Sequence, residues 1–393
     1  MIAVINAKIV TMEKETGIIE NGTVLIEDDK IRKVGKDIEV PAGAVTVDAK
    51  GNMLLPGFIE AHCHMGITEE KKGREGDDCN ECVDPLTPYL RAIDAINPMD
   101  AAFHSAVAAG ITSAMIGPGS ANVVGGQFAF VKTHGRCIDD MIRLAPAAMK
   151  VAFGENPKMN YGMKDSSPYT RMAIAAMLRR ELLTAKNYVE RNPQKPEPGH
   201  EEDADQEFRF GCYRDVFSGK IPLKVHAHRA DDIMTAIRIA REFGLDITLD
   251  HCSEGHLIAE EVRKSGFPAI VGPDLASRNK IEVQNMAFKT AGQLRKSGVT
   301  VAVTTDHPVT LIQSLPLCGA LAVKEGLSPE AGLEAITIAA AKICRMDHIV
   351  GSIREGKLAD MVLFRGHPFE TFSKVLFTMI DGKIVYRDAE MFL

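Results

Sequence analysis

The chain has 393 residues, 45% of them hydrophobic and 25% charged, the composition of an ordinary globular protein. Its 46 Lys and Arg stand against 53 Asp and Glu, and a formal net charge of −7 argues against nucleic acid as a partner. No apolar run approaches the roughly 18 residues needed to cross a bilayer, and the N-terminus lacks the features of a secretion signal, so a cytoplasmic protein with no membrane partner is expected.

The first 55 residues read as short strands. Ile2–Ile5, Ile9–Val10, Thr23–Ile26, Ile31–Val34 and Val45–Val47 are β-rich, and Asn21-Gly22, Asp28-Asp29 and Ala42-Gly43 supply turns. From 56 to 350 the pattern changes to apolar strands alternating with helical stretches. The predicted strands are Phe58–His64, Ile111–Ile116, Phe128–Lys132, Ala148–Phe153, Leu223–His226, Ile247–Asp250, Ala269–Val271 and Thr300–Thr304. Helical patterns cover Asp100–Ala109, Tyr169–Glu190, Asp232–Phe243, Ile281–Ser297 and Pro329–Met346. This alternation implies the α/β class and a parallel sheet. Without a G-x-G-x-x-G fingerprint, seven or eight such units suit a (β/α)8 TIM barrel better than a doubly wound sheet. Residues 193–206 are rich in proline and acid and read as an exposed connection. The C-terminal stretch returns to strands at Asp360–Phe364, Leu376–Ile380 and Lys383–Tyr386, with Asp381-Gly382 as a tight hairpin.

The eight Cys are scattered and read as free thiols. Cys79 and Cys82 have C-x-x-C spacing, but no second pair accompanies them and their flanks are polar, so a loop is the better reading than a zinc or redox motif.

The histidines fall at strand ends. His62 and His64 close one strand, His226 and His228 another, His251 a third, and Asp306 follows a fourth. Residues i and i+2 of a strand share a face, and in a barrel the C-terminal strand ends converge on one mouth. A single such histidine would be packing; four apolar strands all ending in metal-competent side chains point to a metal site. A second ion would need a bridging anion. Glu155, just past the strand at Met149–Phe153, can reach the same mouth, and a carbamylated Lys150 or Lys158 could play that part instead.

On Pro56–His64, His226, His251, Asp306 and the closing Gly351–Leu363 segment, nearly the whole chain resembles the amidohydrolase superfamily, and within it the imidazolonepropionase-related branch that also holds Xaa-Pro dipeptidases. The resemblance implies a metal-binding barrel at 56–350 and a small β-sandwich domain built from 1–55 plus 351–393. It implies His62, His64, His226, His251 and Asp306 as metal ligands, with Glu155 matching the glutamate that some members use in place of a carbamylated lysine. It makes a homo-oligomer the expected assembly. Deaminases of the superfamily carry a Glu shortly after the strand-five histidine; here Ala227-His-Arg-Ala-Asp-Asp232 follows His226, which disfavours deamination.

The expected function is hydrolysis of a C–N amide bond in a small molecule, such as a dipeptide or N-acyl amino acid, with a cyclic amide or imidazolone ring as the alternative. Asp306 and His251 are the expected catalytic residues: Asp306 carries the proton from water to the leaving nitrogen, and a histidine helps stabilise the oxyanion. The cofactor is one or two divalent ions. Histidine with carboxylate suits Zn, and Fe, Mn and Ni accept the same donors. Expected substrate contacts are His228, Arg229, Tyr161 and Gln127, the last in a glycine-rich loop Gly117–Gln127 whose backbone N–H groups could hold an anion.

Overall fold

The computed structural model describes residues 1–70, 73–196 and 203–389. Of the expected connection at 193–206, residues 197–202 lie outside that set; it leads from the helix Arg171–Arg191 to the helix Ala204–Phe210.

The middle of the chain forms an eight-stranded sheet that hydrogen-bonds in chain order. Its strands are β1 (Phe58–Cys63), β2 (Ile111–Ile116), β3 (Val124–Lys132), β4 (Ile142–Ala152), β5 (Leu223–Ala227), β6 (Ile247–His251), β7 (Ala269–Val271) and β8 (Val301–Val303). All of the strands expected in this region are present. The barrel nonetheless departs from a regular (β/α)8 pattern, because β3 runs antiparallel to both β2 and β4. A loop joins β2 to β3, and only the short helix Ile138–Met141 precedes β4, so neither connection can hold a crossover helix. The glycine-rich segment expected as one loop is therefore divided, and Val124–Gln127 belongs to β3.

Side chains and backbone close the barrel between β1 and β8. His64 N donates to His307 O at 2.8 Å, and Thr304 Oγ1 to His62 O at 2.7 Å. The buried Glu60 carboxylate accepts from Thr305 N at 2.9 Å and His62 N at 3.1 Å; burial pushes it up to about 7. The lower interior is filled by Ile59, Ala61, Phe128, Phe130, Ile270 and Ala302. On that apolar floor stand two lysines, with Lys150 Nζ and Lys224 Nζ 5.6 Å and 5.4 Å from the Phe128 ring centroid.

The two ends of the chain meet in a second, mixed eight-stranded sheet. Its first strand, Ile2–Val10, is continuous across the two runs read separately, and it bends at Asn6, whose φ is 54°. Before the bend it pairs with Val45–Asp48 and after it with Met53–Pro56. Asn21-Gly22 is not a turn: the strand Ile18–Glu27 runs through it, and a Cβ on Gly22 would come within 2.6 Å of Ile9 Cδ1. Asp381-Gly382 does form the expected hairpin, both residues having positive φ. Val4, Ile26, Val47, Leu54, Met361 and Phe377 share one core here.

Two of the longer helical patterns are broken. Pro329–Met346 becomes Pro329–Ala335 and Ile338–Ile343, and Ile281–Ser297 becomes a 3-10 turn at Ile281–Val283 and the helix Lys289–Lys296. In the second case Arg278 takes the Met286 carbonyl, with its Nη2 at 2.9 Å, and so removes an acceptor a continuous helix would use. Among the described residues no helix is long and apolar enough to cross a membrane.

The two sheets are joined by a buried ion pair. Lys132, at the end of β3, bonds Asp360 before the strand Met361–Arg365, and both side chains are shielded from water. Removing one partner of such a pair strands the other charge and costs about 3–5 kcal/mol. Lys132→Met is expected to lower the unfolding free energy by that amount in urea, with the far-ultraviolet spectrum of the folded state unchanged.

Candidate metal centre

The ligand candidates come together at the C-terminal ends of the barrel strands. His62, His251 and Asp306 form one group whose ligand atoms lie within 4.8 Å of each other, and His226, His228 and His251 form another. All five residues are buried.

Local geometry turns each side chain into place. The register of β1 against β2 shifts between Glu60 and Cys63, and His62 and His64 then face the mouth while Cys63 packs outside. In β6, alternation puts Thr248 and Asp250 inside and Ile247 and Leu249 against the outer layer. By that rule His251 would point outward. Its backbone instead adopts φ of 72°, and its ring stands 5.1 Å from that of His62. Asp306 also has positive φ, 51°. Such backbone strain in non-glycine residues is held only where surrounding structure over-determines it.

Backing partners fix which ring nitrogens are free. His62 Nδ1 lies 2.8 Å from Asp250 Oδ2, close in distance but out of line for a hydrogen bond, and its Nε2 faces Asp306 Oδ1 at 3.6 Å. Asp250 also accepts from Thr248 Oγ1 at 2.7 Å, and Lys224 Nζ stands 3.2 Å from it. His64 Nδ1 meets Gly117 O at 2.7 Å, and its Nε2 lies 3.3 Å from Asp306 Oδ1. His251 Nδ1 meets Gly272 O at 2.9 Å. The glycine-rich segment thus orients His64 through a carbonyl. A carboxylate or carbonyl on the far ring nitrogen is the arrangement that presents the other nitrogen's lone pair to a metal.

The electrostatics fit a cation. Burial pulls His62, His226 and His251 well below the ordinary imidazole range, and His228 to about 4, so these rings are neutral donors. His64 goes the other way: burial opposes its charge, but Cys79 and Asp306 beside it hold it up to about 10. Asp306 Oδ1, His226 Nδ1 and Glu282 Oε1 are buried with no hydrogen-bond partner. Uncompensated polar atoms of this kind are costly unless something binds them. The donor set of neutral imidazoles and carboxylate oxygen suits a divalent transition metal.

The other candidates fall in different places. Lys150 reaches the centre: it is buried, its Nζ is 3.3 Å from His62 Nε2, and burial lowers it to about 8. Glu155 lies outside both groups. It opens the helix Glu155–Gly162, and its Oε2 accepts from Glu282 N at 3.3 Å. Arg229 is engaged by Asp231 through two bonds of 2.9 Å. Tyr161 is buried and donates to Asn122 Oδ1 at 2.5 Å, which ties it to the β2–β3 loop. Gln127 departs most from expectation. Phe128 and Phe130 face the barrel interior, so Gln127 faces the outside, where its Nε2 donates to Pro88 O at 3.1 Å. His228 lies at the centre, its Nδ1 2.8 Å from Ser253 Oγ.

Two carboxylates were not foreseen. Asp250 backs His62, and applying strand alternation to β6 would have found it. Glu282 faces the second histidine group, 3.7 Å from His226 Nε2 and 3.9 Å from His228 Nε2. Reading Ile281–Ser297 as one helix hid it.

The model of the amidohydrolase family matches residues 53–385. The chain belongs to the amidohydrolase family. A solved amidohydrolase from Thermotoga maritima MSB8 superposes with a TM-score of 0.93 at 39% identity, covering 99% of this chain and 100% of that one. Amidohydrolase tasK of Hapsidospora irregularis is 28% identical over 93% of this chain, which spans only 40% of the length of that relative. Imidazolonepropionase of Cutibacterium acnes is 27% identical over 88% of this chain and 85% of its own. Membership of that family implies hydrolase activity on C–N bonds, and the His and Asp groups described above could hold a divalent metal.

Proposed function

We propose that this amidohydrolase cleaves the amide bond of a small molecule, a dipeptide or N-acyl amino acid, with His62, His64, His226, His251 and Asp306 as metal ligands. The observation that carries this reading is the convergence of the buried His62 and His64 imidazoles on the unpartnered Oδ1 of Asp306. A divalent ion held there, zinc before iron, manganese or nickel, would supply a Lewis acid for the carbonyl and a lowered pKa for water. Asp306 accepts the proton of the attacking water and returns it to the leaving nitrogen. The barrel between residues 56 and 350 is the catalytic unit, and the sheet of both termini, of β-sandwich type, supports it.

Lys150 supports a bridged pair of ions better than Glu155 does. A dication about 4 Å from an ammonium is repelled by about 8 kcal/mol at an effective dielectric of 20, so Lys150 as an ammonium would oppose metal at His62. Reaction of the neutral amine with carbon dioxide, with release of a proton, forms an N–C bond and converts it to a carboxylate-bearing carbamate. That exchange turns the opposing charge into a ligand.

The second reading is hydrolysis of a cyclic amide, which the imidazolonepropionase relative favours. Deamination finds less support. Asp231, the nearest acid after His226 and His228, is half-exposed and paired with Arg229. Metal analysis of purified protein, followed by assay against dipeptides, N-acyl amino acids, cyclic amides and aminopurines, tests all three. Turnover of a linear amide only with metal present is the expected result. Metal-dependent ammonia release from aminopurines alone would replace the reading with deamination.

A further inference from the structure

The ligand set proposed above leaves Glu282 without a task, although its placement is specific. Its carboxylate is buried, and each oxygen is set apart from the other. Oε2 accepts from Glu155 N at 2.8 Å, and Glu282 N donates back to Glu155 Oε2 at 3.3 Å. This reciprocal pair clamps the loop after β7 onto the first turn of the helix Glu155–Gly162. The seat requires a glycine beside it: Gly154 has φ of 83°, and a Cβ there would lie 2.8 Å from Glu282 Oε2. Oε1 is left free and aimed at His226 Nε2 and His228 Nε2, at 3.7 Å and 3.9 Å.

Those distances decide between two roles. They are too long for hydrogen bonds. They lie just beyond the separation of about 3.3–3.6 Å between two donors 2.0–2.2 Å from one tetrahedral ion, a gap that a small inward turn of the carboxylate closes. The nearest cation, Lys280 Nζ, is also 3.7 Å from Oε1; it is partly exposed and bonds Asn156 Oδ1 at 2.7 Å. It does not satisfy the oxygen.

We infer that Glu282 is a metal ligand that shares a divalent ion with His226 and His228. This rests on the metal-dependent reading and adds two residues, Glu282 and His228, to its second ion. His228 thereby changes from a substrate contact to a ligand.

The test is reconstitution of the full-length apoprotein with Co(II), followed by elemental analysis and visible absorption, for wild type, Glu282→Gln and His228→Gln. Glutamine keeps an acceptor for Glu155 N, so the loop clamp survives in Glu282→Gln, and thermal melts check this. The expected result is about two ions in wild type and about one in each variant, with the absorption of the lost ion missing. Glu282→Gln that holds as many ions as wild type, with equal resistance to a chelator, overturns the inference and leaves the hydrolase reading standing. One ion in both wild type and Glu282→Gln overturns it as well. Wild type that takes up no Co(II) removes the metal-dependent reading itself, and this inference with it. Should Glu282→Gln not fold, His228→Gln decides by the same outcomes.

Discussion

Lys150→Ala is expected to weaken divalent metal binding by about 10–100-fold or more, and acetate or propionate in the buffer to restore part of it. The reason is positional. Lys150 is on β4 with its side chain in the barrel interior, over Phe128 and 3.3 Å from His62 Nε2. No other described lysine touches the ligand nitrogens: Lys224 is committed to Asp250 and Ala61 O, and Lys158 lies in the helix Glu155–Gly162. A carbamate on Lys150 supplies negative charge where the ammonium supplied positive, and a small carboxylate diffusing into the alanine cavity mimics it. Equilibrium dialysis with zinc measures the affinity, and carbon-13 spectra after labelling with bicarbonate should show a carbamate signal in wild type that Lys150→Ala lacks. Glu155→Gln run beside it should keep its metal, because Glu155 faces the backbone of Glu282. The reverse pattern, metal kept by Lys150→Ala and lost by Glu155→Gln, would return the bridge to Glu155.

The residues that sequence made visible are those whose position follows from strand periodicity and strand ends. His62, His64, His226 and His251 end apolar strands, and the barrel brings strand ends together whatever the details of the helices. The antiparallel β3 was not visible, because direction is set by connection length and the β2–β3 loop shows only as a glycine-rich stretch. The sequence pattern reads Gln127 as part of that loop, toward the mouth; with Val124–Lys132 a strand and Phe128 and Phe130 inside, Gln127 faces out. Alternation alone turns His251 outward, and the positive φ turns its ring back toward His62. Asp250 was overlooked at the same point. Glu282 was hidden by a helical period that holds through Ile281–Ser297, but the tertiary bond from Arg278 to the Met286 carbonyl overrides it. Local pattern reports what a segment prefers; these long-range bonds are made by residues the pattern cannot pair.

Asp306→Asn is expected to lower kcat by about 10²–10⁴-fold with a much smaller change in KM. Burial alone would raise the Asp306 carboxyl, but the neighbouring His251 and His64 hold it below the ordinary range, so it is ionised and able to accept a proton near neutral pH. Its Oδ1 lies 3.3 Å and 3.6 Å from two imidazoles and has no hydrogen-bond partner, which leaves it open to a water in the mouth. Asparagine preserves size and a donor oxygen for metal but cannot carry the proton. The measurement is steady-state kinetics on the best amide of the substrate panel, expressed per bound metal ion, so that lost metal and lost proton transfer are counted separately. A rate per ion close to that of wild type would remove Asp306 from proton transfer and leave it as a ligand alone. The proton would then have to pass through another group at the mouth.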